Sequence, residues 1–105
     1  MAELIWTEPA LQDLDAVADY IALDNRDAAR RYVREVLDQV ARLKSFPESG
    51  QVPAELEDFP QYRHLVIPPC RVFYKVSGSG VFILHVMRCE RRFRTGRVLG
   101  RGVDL

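Results

Sequence analysis

Several ingredients are scarce in this chain, and each scarcity excludes something. Of 105 residues only two are cysteine, Cys70 and Cys89. Two cysteines make no disulfide framework, and their spacing matches no common zinc motif, so they read as free thiols in a reducing compartment. No apolar run is long enough to span a bilayer. The opening Met1-Ala2-Glu3-Leu4-Ile5-Trp6 lacks the basic flank and long apolar stretch of a signal peptide, which makes the cytoplasm the expected location. No serine or cysteine sits in a nucleophile motif, and no glycine-rich phosphate loop precedes a helix. The two histidines, His64 and His85, have no sequence neighbour that would tune them for proton transfer. No residue cluster suggests a metal or an organic cofactor, so none is expected.

What is present describes an ordinary small domain. Hydrophobic residues make up 48% and charged ones 29%, which argues against disorder, and a chain of this length is expected to form one domain over residues 1–105. Formal net charge is zero, yet the charges are sorted. Residues 1–27 carry seven acids against Arg26 alone, a net of −6, whereas residues 61–105 carry nine bases against Glu90 and Asp104, a net of +7. Either the halves neutralise each other in the fold, or the second half meets an anionic partner.

Local signals order the elements. Leu4-Ile5-Trp6 suits a short strand. Thr7 is an N-cap candidate with Glu8 and Pro9 in the first turn, and Leu11, Leu14, Val17 and Ile21 recur at helical spacing to about Leu23. Asn25 caps a second helix, whose stripe runs through Ala29, Tyr32 or Val33, Val36 or Leu37, Val40 and Leu43 to about Ser45. Phe46-Pro47-Glu48-Ser49-Gly50 stops it. The short connection predicts an antiparallel helical hairpin. Tyr62–Ile67, Arg71–Val76 and Val81–Arg88 are β-rich, and Ser77-Gly78-Ser79-Gly80 is a hairpin turn. Residues 93–105, rich in arginine and glycine, read as a mobile basic tail. The fold class is therefore α+β: an antiparallel sheet with an N-terminal strand and a helical hairpin on one face.

Centring the last hairpin on Gly78-Ser79 pairs Val72 with His85, Tyr74 with Ile83 and Val76 with Val81 on one face. The other face receives Arg71 against Val86, Phe73 against Leu84 and Lys75 against Phe82, with Arg88 diagonal to Arg71. This second face would be an apolar patch with a cationic edge, suited to an acidic amphipathic partner or covered by the chain's own tail. Arg71, Phe73, Lys75, Phe82, Leu84 and Arg88 are the candidate contacts for such a partner. Arg91, Arg92 and Arg94 form a cluster suited to an anionic target surface, unless they are simply a solvated run. Arg71, His85 and Arg88 are weak catalytic candidates.

Taken together, Trp6-Thr7-Glu8-Pro9-Ala10, Phe46-Pro47-Glu48-Ser49-Gly50, Tyr62-Arg63-His64-Leu65-Val66, the strand from Cys70 to Val76 and the strand from Val81 to Arg88 resemble the RelE/ParE toxin superfamily through about Arg92. The resemblance implies a toxin of a type II toxin–antitoxin system. RelE-type members are ribosome-dependent mRNA endoribonucleases that act without a metal, through lysines, arginines and a tyrosine around the bound mRNA. Arg71 matches their strand arginine and Arg63 stands where one lysine is expected. Leu65, Cys89 and Thr95 fall at or near three further positions and cannot supply that chemistry.

The chain looks more like ParE, whose members inhibit DNA gyrase by binding. The implied partner is a small antitoxin with a DNA-binding N-terminal part and a C-terminal part that wraps the toxin, in a possible higher oligomer. The alternatives are a RelE-like nuclease and a non-toxic basic interaction module.

Overall fold

In the computed structural model, which describes residues 1–89, the elements run β1 (Glu3–Trp6), α1 (Glu8–Ala22), α2 (Arg26–Ala41), β2 (Tyr62–Ile67), β3 (Cys70–Ser77) and β4 (Gly80–Arg88). Single 3-10 turns at Arg42–Lys44 and Ala54–Leu56 lie between α2 and β2. The expected tail, residues 93–105, lies outside the described residues.

Both helices begin where side-chain chemistry favours it. Thr7 is extended, and its hydroxyl oxygen accepts from the Ala10 amide at 3.4 Å. The same hydroxyl donates to the Ile83 carbonyl at 2.6 Å, so one residue starts α1 and fastens it to β4. Asn25 accepts from the Ala28 amide at 3.0 Å. These bonds satisfy amides that the first helical turn leaves without partners. Ala10 and Leu14 of α1, with Ala29, Tyr32, Val36 and Val40 of α2, turn inward at helical spacing. Together with Leu43 they meet Ile67, Cys70, Val72, Tyr74, Val81, Ile83 and Val86, except that Ala29 lies outside this main core cluster. Tyr32 ties the layers by donating its hydroxyl to the Ile67 carbonyl at 2.6 Å.

The strand order is β1-β4-β3-β2. β2, β3 and β4 form the expected antiparallel meander, but β1 lies parallel to β4, pairing Glu3–Trp6 with Gly80–Ile83. The sheet is therefore mixed. A helical crossover between β1 and the meander permits this parallel pairing, which a tight hairpin could not. Gly78 makes the β3–β4 turn with φ of 59°, a left-handed backbone that glycine adopts without strain.

The hairpin register departs from the simple expectation. Tyr74 faces Ile83, Lys75 faces Phe82 and Val76 faces Val81, as spacing predicts. At Phe73 the register slips by one, because Leu84 is an extra residue in β4. Phe73 then faces His85, Val72 faces Val86, Arg71 faces Met87 and Cys70 faces Arg88, correcting the expected pairs beyond this point. Strand side chains alternate between faces, so a one-residue slip changes the face of everything past it. Val86 enters the helix-side core, whereas Met87 joins the opposite side.

Candidate functional site

The second face of the sheet is not the bare apolar patch that the strands alone suggest. Phe73 is 1% exposed and Leu84 0%. They cluster with Tyr62, Met87 and Leu56, and Phe82 packs alongside, partly buried. Leu56 comes from the 3-10 turn between α2 and β2, a stretch with no periodicity to announce that it would lie over a sheet.

That stretch is held in place from several sides. Gln51 and His64 exchange backbone bonds at 3.0 and 2.8 Å along the outer edge of β2. The Gly50 amide donates to the Tyr74 hydroxyl at 2.9 Å. Arg63 donates to the carbonyls of Gly50 and Glu48 at 2.9 and 3.2 Å. Finally, Arg71 forms a forked pair with Glu55, 3.3 Å at the closer contact, with side chains only 12% and 29% exposed.

Charged and aromatic groups converge on Phe73. The Arg71 guanidinium lies 4.9 Å from its ring centre, the His64 ring 5.6 Å away and the His85 ring 6.3 Å away. Burial opposes ionisation of Glu55, but hydrogen bonds from Arg71 and the local backbone, with the Arg71 charge, outweigh it and hold the carboxyl below its ordinary value. Burial and the Arg71 charge push His64 down against the pull of Glu55, which favours a neutral imidazole at physiological pH. Lys75 stands 5.7 Å over the ring of Tyr62. A guanidinium, a neutral imidazole and a carboxylate could in principle hold a phosphate and move a proton. Here the guanidinium and the carboxylate engage each other.

One of the expected rim residues lies elsewhere. Because of the bulge, Arg88 stands opposite Cys70 and its guanidinium sits 5.1 Å over the ring of Tyr20, on the helix side. It lines a cavity of about 650 Å³ between α1 and the end of β4, with Asp13, Tyr20 and Pro69 among its other walls. His85 bonds Asp13 of α1 at 2.5 Å. Arg71, Phe73, Lys75, Phe82 and Leu84 do share one region, but two of them are buried and Arg88 is separate. Cys70 is buried and Cys89 exposed, both as free thiols. Arg91, Arg92 and Arg94 lie outside the described residues.

Sequence reasoning missed Glu55, Leu56, Asp13 and the place of His64. Glu55 and Leu56 carry no periodic signal, and Asp13 is indistinguishable by spacing from the exposed acids of α1.

Known proteins resemble this chain in sequence and fold. A family model described as ParE toxin of type II toxin-antitoxin system, parDE, matches residues 4–93. Toxin RelE2 of Caulobacter vibrioides is 32% identical over 92 residues, covering 87% of this chain and 99% of its own. The putative toxin Y4kP of Sinorhizobium fredii is 34% identical, with 84% and 88% covered. Among solved structures, one described as the chromosomal ParDE system of P. aeruginosa superposes with a TM-score of 0.70 at 30% identity, covering 86% of this chain and 98% of the other. A Helicobacter pylori toxin, at 16% identity and TM-score 0.56, shares the fold.

Proposed function

We propose, from the premise that the chain belongs to the ParE toxin family of type II toxin–antitoxin systems, that it inhibits DNA gyrase by binding rather than by cutting a bond. Family membership implies an antitoxin partner. The observation that carries the binding reading is the commitment of the two arginines at nuclease-like positions. Arg63 donates to loop carbonyls, and Arg71 is forked onto Glu55 and stacked on Phe73. A guanidinium already neutralised within its own chain is poorly placed to take up the charge of a phosphorane.

Purified protein should block gyrase supercoiling and leave ribosome-bound mRNA intact. Cleaved mRNA with unaffected gyrase would establish the alternative, a RelE-like endoribonuclease. Two observations favour that second reading: the similarity to a relative named Toxin RelE2, and His64 beside Arg71 and Glu55. A protein with neither effect, and harmless on expression, would be a basic interaction module.

The target contact is assigned to Arg91, Arg92 and Arg94, whose long cations suit an anionic surface. Truncation after Cys89 should abolish growth inhibition while antitoxin binding persists. The antitoxin, with a DNA-binding N-terminal part, is placed on the second face of the sheet. There Lys75 and Phe82 remain partly exposed, and an antitoxin carboxylate can exchange with Glu55 for Arg71.

A further inference from the structure

The Ala54–Leu56 turn reaches the second face of the sheet through two neighbouring side chains. From Ala54 to Gln61 only Leu56 is buried, clustered with Tyr62, Phe73, Leu84 and Met87. Glu55 beside it carries the carboxylate that forks onto Arg71. Among the described residues, no backbone group between Val52 and Pro60 bonds to β3 or β4. The Leu56 and Phe59 amides donate instead to the carbonyls of Pro53 and Leu56, within the turn itself. The turn therefore lies on the face as a ligand would, through an acid and an apolar group, rather than as a strand belonging to it.

The composition of this segment matches the face it covers. Glu55, Glu57 and Asp58 make it acidic, and the face presents Arg71 and Lys75 beside Phe73 and Tyr62. One partly exposed ion pair and one leucine make a hold that a longer ligand can exceed. Further contacts are at hand for such a ligand, since Lys75 and Phe82 stay partly exposed on the same face. His64 offers another. Its Nδ1 is buried with no hydrogen-bond partner among the described residues, and its ring lies 5.6 Å from that of Phe73. Buried polar atoms are normally paired, and a peptide group entering as the turn lifts would meet this one.

We infer that the second face accepts an extended peptide segment in which a carboxylate is followed directly by a branched apolar side chain, and that Glu55-Leu56 is the chain's own copy of that ligand. A partner must displace the turn, so its measured affinity is its intrinsic affinity reduced by the fraction of molecules in which the turn has lifted. The Arg71–Glu55 pair is then a latch on the face. The inference depends neither on what the protein inhibits nor on the antitoxin being the partner that lifts the turn.

The test uses the full chain and the peptide acetyl-Ala-Glu-Leu-Glu-Asp-amide, which repeats residues 54–58. Nuclear magnetic resonance titration of the wild type should show weak binding, with the largest shifts at His64, Arg71 and Phe73. Glu55→Gln should bind the peptide about fivefold more tightly, because the competing latch is weakened. The same peptide with glutamine in place of its first glutamate should bind neither protein. Hydrogen exchange gives a second readout that needs no variant. Saturating peptide should speed exchange of the wild-type Leu56 and Phe59 amides, as the turn is pushed off the sheet. Should Glu55→Gln fail to fold by circular dichroism, exchange in the wild type decides alone. A peptide that binds neither protein overturns the inference, as does equal affinity for the two, or a glutamine peptide that binds as well. Binding to the wild type without faster exchange at Leu56 and Phe59 overturns it too, since the ligand then lies elsewhere.

Discussion

The carboxylate of Asp13, in the middle of α1, closes the end of the sheet by reaching His85. The His85 Nδ1 lies 2.5 Å from Asp13 Oδ2, and the same oxygen accepts the Val86 amide at 3.1 Å. β1 pairs with β4 only as far as Ile83, so Asp13 serves the neighbouring edge where β1 has ended. It is a side chain standing in for a missing strand.

Replacing Asp13 by Ala should therefore destabilise the fold by about 1–3 kcal/mol, the usual cost of leaving buried donors without an acceptor. Asp13→Asn retains an oxygen for the Val86 amide and should lose less. Urea midpoints at constant m-value will rank the two. Equal midpoints for wild type and Asp13→Ala would show that the edge gains nothing from this carboxylate.

The Arg71–Glu55 pair sets the response to acid. The Glu55 carboxyl is held below its ordinary value in the fold, so the folded state favours its ionised form. That contribution is fully present above the unfolded carboxyl value of about 4.3 and is lost as pH falls through the lower folded value. Glu55→Gln should cost about 1 kcal/mol at neutral pH, allowing for partial exposure, and almost nothing in strong acid. A gap between the two proteins that persists undiminished at low pH would assign the cost to shape rather than charge.

Alkali should act through the buried phenols. Burial raises Tyr32 and Tyr74 above the usual tyrosine value, so each stabilises the fold fully below an unfolded value of about 10 and loses that contribution as pH rises above it. Stability should be flat through mild alkali and decline beyond. Tyr74→Phe removes part of the decline but leaves the Gly50 amide without its acceptor, at about 1–3 kcal/mol at neutral pH. Gly50→Ala should do at least as much harm, since a Cβ there would lie 2.5 Å from the Tyr74 hydroxyl and 2.7 Å from the His64 carbonyl oxygen. Thermal melts at neutral and alkaline pH will separate these effects.

Two phenylalanines on one face should behave differently. Phe73, buried within the chain, should cost about 3–5 kcal/mol of stability when replaced by Ala. Phe82, partly exposed beside it, should leave the fold largely intact but weaken the antitoxin complex by about 2 kcal/mol if it is the aromatic anchor there. Calorimetric titration of Phe82→Ala with antitoxin decides. Undiminished affinity places the antitoxin elsewhere.

Much of this architecture is legible in the sequence because it is encoded locally. Thr7 and Asn25 announce both helix starts, the inward stripe of α2 falls within its expected positions although Leu37 turns out to be exposed, and β2 spans Tyr62–Ile67 as its β-branched and aromatic content suggests. What stays hidden depends on partners distant along the chain. Nothing near Leu4 states that it lies parallel to Val81. An extra residue at Leu84 follows no spacing rule, yet it moves Arg88 from the expected rim to Tyr20. Glu55 looks like any loop acid until Arg71 is seen beside it.

The parallel seat of β1 beside β4 also bears on how the protein comes into being. Glu3 through Trp6 are synthesised first, yet their neighbours, Gly80 through Ile83, lie nearly eighty residues downstream. At translation rates of about 5–20 residues per second, that interval lasts seconds. During it the helical hairpin can form from local contacts alone, whereas the first strand has no sheet to join. The complete sheet is thus withheld until almost the whole described chain has been made. An interrupted translation product would carry the helices without a finished sheet.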